Sequence, residues 1–118
     1  MEQIGYQVVQ AYLDTLPDAV LEFPFGKDTA VYSVNATMFA LATPGKLPVR
    51  LSLRCDPQLS KILRDKYESV MLGQHLNKKQ WITVVLSGQL DWEEVQGLIR
   101  HSYLLATGVH ELPHGTVI

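Results

Sequence analysis

With 118 residues, 47% of them hydrophobic and 19% charged, the chain is long enough to close one hydrophobic core unaided, and its composition excludes a disordered or fibrous protein. No apolar run nears the roughly 18–20 residues that span a bilayer, the opening MEQIGYQVVQAYLD lacks a signal-peptide profile, and Cys55, the single cysteine, excludes an intrachain disulfide. The net charge of −2 hides a segregation: Pro44 to Leu90 carries eight cations against three acids (+5), the remainder two against nine (−7).

Ile4, Val8, Val9, Tyr12, Leu13 and Leu16 recur at steps of three and four, which predicts a helix from about Glu2 to Leu16. Pro17 ends it, because proline lacks an N–H and restricts the residue before it. From Val20 to Arg54 the period falls to two. Leu21, Phe23 and Phe25 alternate with Glu22 and Pro24, and Phe25-Gly26-Lys27-Asp28 makes a turn. Thr29 to Val34 and Thr37 to Ala42 read as strands joined by a tight Asn35-Ala36 hairpin. Thr43-Pro44-Gly45-Lys46 is the next turn. Val49, Leu51 and Leu53 then alternate with Arg50, Ser52 and Arg54, giving a strand with one face for the core and one for water or a ligand.

Asp56 and Pro57 suit the N-cap and first position of a second helix. Leu59, Ile62, Leu63 and Tyr67 form its expected buried stripe, with Lys61, Arg64, Asp65, Lys66 and Glu68 solvated. Ser69 to Lys79 reads as irregular, and Trp81 to Ser87 as an apolar strand that is buried on both sides or central. After the Ser87-Gly88-Gln89 turn, Asp91 and Glu94 form a capping-box-like start to the last helix. Trp92, Val95, Leu98, Ile99, Ser102 and Leu105 or Ala106 mark its inner face, and Gly108 its stop. Strands joined by such short turns pair antiparallel. The expected fold is α+β: residues 1–118 form one domain, a two-layer sandwich in which three helices cover one face of an antiparallel sheet.

His75, Asn77, Lys78 and Lys79 offer a loop of phosphate donors anchored by Trp81. The alternative is that Leu76 and Trp81 pack, Asn77 bonds local backbone, and the lysines are only solvated. Arg50 and Arg54 share a strand face with Ser52 between them, read as a row spaced by about 7 Å, near the spacing of successive phosphates. An arginine-decorated outer face is the plainer reading. Phe23-Pro24-Phe25-Gly26 is either an exposed aromatic surface or, more simply, a strand end with one ring turned inward. The Tyr103 phenol, beside Ser102, should reach a polar partner.

No catalytic constellation emerges. Cys55 has no sequence-adjacent base and suits the core, although a nearby helix N-terminus leaves a reactive thiol open. His110 and His114 are separated by Pro113 and lack a third ligand. Glu93 and Glu94 diverge on a helix. There is no Walker loop, dinucleotide fingerprint or serine elbow. An enzyme, a metal site and a cofactor are therefore not expected, and the cytoplasm is the expected compartment.

The run Gly73-Gln74-His75-Leu76-Asn77-Lys78-Lys79-Gln80-Trp81 resembles the signature of the MmcQ/YjbR family. Phe23-Pro24-Phe25-Gly26, Met38-Phe39-Ala40-Leu41, Leu53-Arg54-Cys55-Asp56-Pro57 and Ser102-Tyr103 agree in order and spacing, so the resemblance covers essentially the whole chain. It implies a fold similar to type III secretion chaperones, a bacterial source, and DNA binding through two hairpin wings, with no agreed reaction or cofactor. Asn35-Ala36-Thr37 stands where many relatives carry a glycine-lysine pair, which removes one cation from a hairpin tip. Leu72 stands where proline is common.

The expected function is weak, salt-dependent contact with the phosphate backbone of double-stranded DNA by Arg50, Arg54, His75, Asn77, Lys78 and Lys79. Base reading is not expected, since no helix carries a suitable cluster of Arg, Asn and Gln. A protein- or peptide-binding, chaperone-like module is the alternative, and a small-molecule site near His75 or Cys55 a third reading.

Overall fold

The computed structural model describes residues 3–73 and 77–108. In chain order the elements are α1 (Tyr6–Leu13), β1 (Val20–Glu22), β2 (Ala30–Val34), β3 (Thr37–Ala42), β4 (Arg50–Arg54), α2 (Pro57–Lys66), β5 (Val70–Leu72), β6 (Trp81–Val85) and α3 (Trp92–Thr107). The six strands form one sheet in the order β1-β2-β3-β4-β6-β5, with every neighbouring pair antiparallel. The expected α+β sandwich is the observed architecture.

Turn chemistry sets the strand order. Asn35 and Ala36 both adopt left-handed backbone (φ 51° and 63°), the requirement of a two-residue hairpin whose twist matches its strands. One turn further into that hairpin, Tyr32 pairs with Ala40 but Ser33 pairs with Met38. The unpaired Phe39 forms a bulge, and its ring is fully buried in the core.

Register fixes the two faces. Ala30, Ala42, Leu51, Val84 and Val70 form one cross-strand row. Tyr32, Ala40, Leu53, Ile82 and Leu72 form the next, on the same side, because side chains two apart share a face. All three helices cover this side. Leu13, Leu51, Leu53, Ile82 and Ile99 are fully buried there, and each contributes about 1.5–3 kcal/mol relative to exposure. The opposite side carries the row Glu22, Val31, Leu41, Ser52, Thr83, Met71.

Polar contacts orient the helices. Ser102 of α3, fully buried, donates to the Phe39 carbonyl and accepts the Arg54 N–H at 2.8 Å, so one hydroxyl joins α3 to β3 and β4. The neighbouring Tyr103 donates to the Pro17 carbonyl at 2.7 Å, the polar partner expected for it. Asp91 caps α3 by accepting the Glu94 N–H at 2.9 Å. The Glu94 carboxylate instead accepts from the Tyr67 hydroxyl at 2.6 Å, which ties the end of α2 to α3. Tyr32 donates to Asp14 at 2.9 Å and holds the end of α1 over β2.

Several expected boundaries move. The first helix is confined to Tyr6–Leu13 because Gly5 caps it and the chain turns after Asp14. In α2 the buried face includes Ser60 and Leu63, while Ile62 is 61% exposed and leaves the expected stripe. Within the stretch read as irregular, Val70–Leu72 forms an edge strand beside β6, and β6 itself ends at Val85. Gly73 follows that edge strand and donates its N–H to the Trp81 carbonyl at 3.0 Å. A Cβ at Gly73 would lie 2.7 Å from the Trp81 Cβ, so the glycine of the signature run serves close approach of two strands.

Candidate functional site

Folding divides the cations of the middle of the chain into three groups. Lys46 and Arg50 sit at the β3–β4 turn end of the sheet. Arg54 pairs in register with Trp81 at the other end, and Lys78 and Lys79 occupy the turn just before Trp81. α2 supplies Lys61, Arg64 and Lys66, of which Lys66 lies over the Tyr67 ring, its Nζ 5.1 Å from the centroid.

One cleft joins three of these cations. Pro57, Ser60 and Arg64 from α2, Leu72 at the end of β5, and Lys78 and Lys79 from the turn line a space of about 310 Å³. None of these six residues is acidic. The Arg64 Nε–H donates to the Ser60 hydroxyl at 3.1 Å; Ser60 is 4% exposed, so the guanidinium hangs from a buried hydroxyl. On the far wall, the Asn77 side chain accepts the Lys79 N–H at 3.0 Å, and the Asn77 carbonyl accepts the N–H groups of Gln80 and Trp81, each at 3.0 Å. These bonds fold a tight turn that carries Lys78 and Lys79 exposed at its tip.

The expected site residues are therefore sorted. Lys78 and Lys79 stand at the cleft. Asn77 shapes the turn that presents them, the local-bonding role. His75 lies outside the described residues. Arg50 is exposed at the opposite end of β4, where its backbone N–H donates to the Thr43 hydroxyl at 3.1 Å. Arg54 lies four positions further along, a Cα distance of about 13 Å by strand rise, so the expected spacing of about 7 Å is corrected to nearly double. Arg54 is not a free donor. Its Nε donates to the Met38 carbonyl at 2.6 Å and its guanidinium lies over the Trp81 ring, and burial lowers its pKa.

Sequence reading missed Arg64, Ser60, Pro57 and Leu72. The signal was present in Ser60 and Arg64, whose spacing of four puts them on one helix face. Their partner across the cleft was not readable, because it depends on β5 placing Leu72 beside α2.

Thiol and imidazole chemistry are muted nearby. Burial pushes the Cys55 thiol up to about 12; Asp56 adds to the shift and Arg64 opposes it. His101 accepts the Asp56 N–H at Nε2 (3.2 Å), and burial lowers its pKa against the opposing pull of Asp56. Among the described residues no three His, Cys, Asp or Glu side chains gather closely enough to hold a metal ion, and no helix is long and apolar enough to cross a membrane. At the β1 edge the expectation of one inward ring is corrected: Phe23 is 46% and Phe25 65% exposed.

Comparison with known proteins finds relatives of the same fold. The YjbR family model matches residues 14–105. An uncharacterised Escherichia coli O157:H7 protein, YbdF, is 31% identical over 90 residues, 76% of this chain and 74% of that protein. The uncharacterised YjbR of Escherichia coli K12 is 32% identical over 76 residues, 64% of each chain. Among solved structures, the Deinococcus radiodurans protein DR2400 superposes with a TM-score of 0.85 at 34% identity, covering 98% of this chain and 96% of that one. A Pseudomonas syringae protein gives 0.76 at 28% identity, covering 87% and 99%.

Proposed function

We propose that this chain, which belongs to the YjbR family, holds double-stranded DNA weakly by its phosphate backbone at the cleft between α2 and the Asn77–Gln80 turn. One observation carries the reading: Arg64 of α2 and Lys78 and Lys79 of the turn line one opening whose described lining holds no carboxylate. Such a cluster attracts a polyanion locally even though the net charge is −2. Backbone contact needs only positioned cations, whereas base reading needs an element in a groove. The reading assigns no reaction and no cofactor, and it places the protein in the cytoplasm.

Three neutralised phosphates predict a log–log salt slope of about −3. Titrating a labelled duplex at several salt concentrations tests this. Binding that weakens with that slope supports the reading; no binding at low salt, or binding indifferent to salt, refutes it.

A second reading, a protein- or peptide-binding module, draws on a different place. Among the described residues β1 is an outermost strand of the sheet, and Val20, Phe23 and Phe25 are exposed along and beyond it. An extended peptide adding a strand there would pair with β1 and cover those side chains. Loss of peptide binding on Val20→Pro, with duplex binding intact, would favour this reading.

A further inference from the structure

Resting on the DNA reading, we infer that the cleft takes an unpaired nucleotide of a strand more tightly than a paired one, its base laid on Leu72 and Pro57 and the strand's phosphates held by Arg64, Lys78 and Lys79. The cations alone suit any phosphate row, but the rest of the cleft does not. Its lining is mostly apolar, with Leu72 and the Pro57 ring beside three cations whose long aliphatic stems can carry their charged ends to the rim. In an intact duplex the bases are stacked and paired, so only phosphates and sugars would meet this rim, and Leu72, 37% exposed, would stay facing water. An unpaired base has a free face to lay on an apolar wall while its own phosphate reaches the rim.

Size and preorganisation agree. A cleft of about 310 Å³ sits at the small end of ligand-sized sites, so it takes one base and not a run of them. Arg64 is already oriented through the bond of its Nε to Ser60, and among the described residues no hydrogen bond engages its terminal nitrogens, the pair that suits a bidentate contact to a phosphate. The Asn77 side chain accepts the backbone N–H of Lys79, so the turn that carries both lysines has its backbone set. The α2 N-terminus does not compete for the anion, because the Asp56 carboxylate already accepts the Gln58 and Leu59 N–H groups. The phosphate is left to the side chains.

The test compares a 5′-phosphorylated oligothymidine with the same sequence in a blunt duplex at low salt, using the full chain, wild type and the variants Leu72→Ser and Arg64→Gln. Base contact predicts that the single strand binds roughly tenfold tighter than the duplex. Leu72→Ser should remove that preference, and Leu72→Met should retain it. Arg64→Gln should weaken both ligands. Competition by thymidine monophosphate would identify a free nucleotide as the natural source, and competition by the oligonucleotide alone an unpaired strand. Duplex binding equal to or tighter than single-strand binding, or an unaltered preference in a folded Leu72→Ser, overturns the inference and leaves the DNA reading standing. Salt-indifferent or absent binding of both ligands overturns the two together.

Discussion

The Arg54 guanidinium lies 4.9 Å from the centroid of the Trp81 ring while its Nε donates to the Met38 carbonyl, so one arginine of β4 engages β3 and β6 at once. A charged donor on a carbonyl contributes about 1.5–3 kcal/mol, and a cation over an indole about 0.5–1 kcal/mol where partly exposed. Arg54→Ala should therefore lower unfolding stability by about 2 kcal/mol in a denaturant titration while duplex affinity changes little. A large loss of affinity with unchanged stability would return Arg54 to the ligand site.

Gly73 and Trp81 make a second such contact. With only 2.7 Å between a Cβ at position 73 and that of Trp81, Gly73→Ala forces β5 away from β6 and should cost about 1–3 kcal/mol. Equal denaturation midpoints for the two proteins would show that this edge gives freely.

Ala36 adopts φ 63°, a left-handed conformation that costs an L-residue roughly 1–2 kcal/mol and glycine nearly nothing. Ala36→Gly loses part of that gain to the greater freedom of the unfolded chain. A net stabilisation of about 0.5–1 kcal/mol is expected, read as a higher midpoint at unchanged slope. A lower midpoint would contradict the assigned hairpin.

His101 predicts the acid response. Its pKa in the fold lies below the ordinary 6.5, chiefly because burial disfavours the imidazolium, and its Nε2 must be unprotonated to accept the Asp56 N–H. A lowered folded pKa means that the unfolded chain takes up the proton first. The contribution is thus fully present above about pH 6.5 and is lost as pH falls through the folded value. Wild type should lose stability more steeply below pH 6.5 than His101→Gln, which keeps an acceptor and cannot titrate. Parallel pH profiles would refute this.

Much of the fold was legible because local signals agreed with one another. The change of period from three-to-four to two marked α1 and the β2–β4 meander, and Asp56-Pro57 and Asp91 opened α2 and α3 where their side chains cap them. β5 escaped because Val70–Leu72 is too short to show alternation. Ile62 was misplaced because a stripe of apolar residues does not reveal which neighbour is buried; Ser60 is buried beneath Arg64. The cleft was half legible: Lys78 and Lys79 stood out as a pair, whereas Arg64 reaches them only through tertiary packing. Arg54 was misread because the same outward strand position serves a ligand or a neighbouring ring.

The most direct measurement is the salt dependence of duplex binding in two variants that each neutralise one end of the sheet. The triple variant Arg64→Gln, Lys78→Gln, Lys79→Gln should flatten the slope from about −3 towards zero, while Lys46→Gln, Arg50→Gln should leave it near the wild-type value. A slope that survives the triple variant, or that disappears with the second, would contradict the assignment of the cleft.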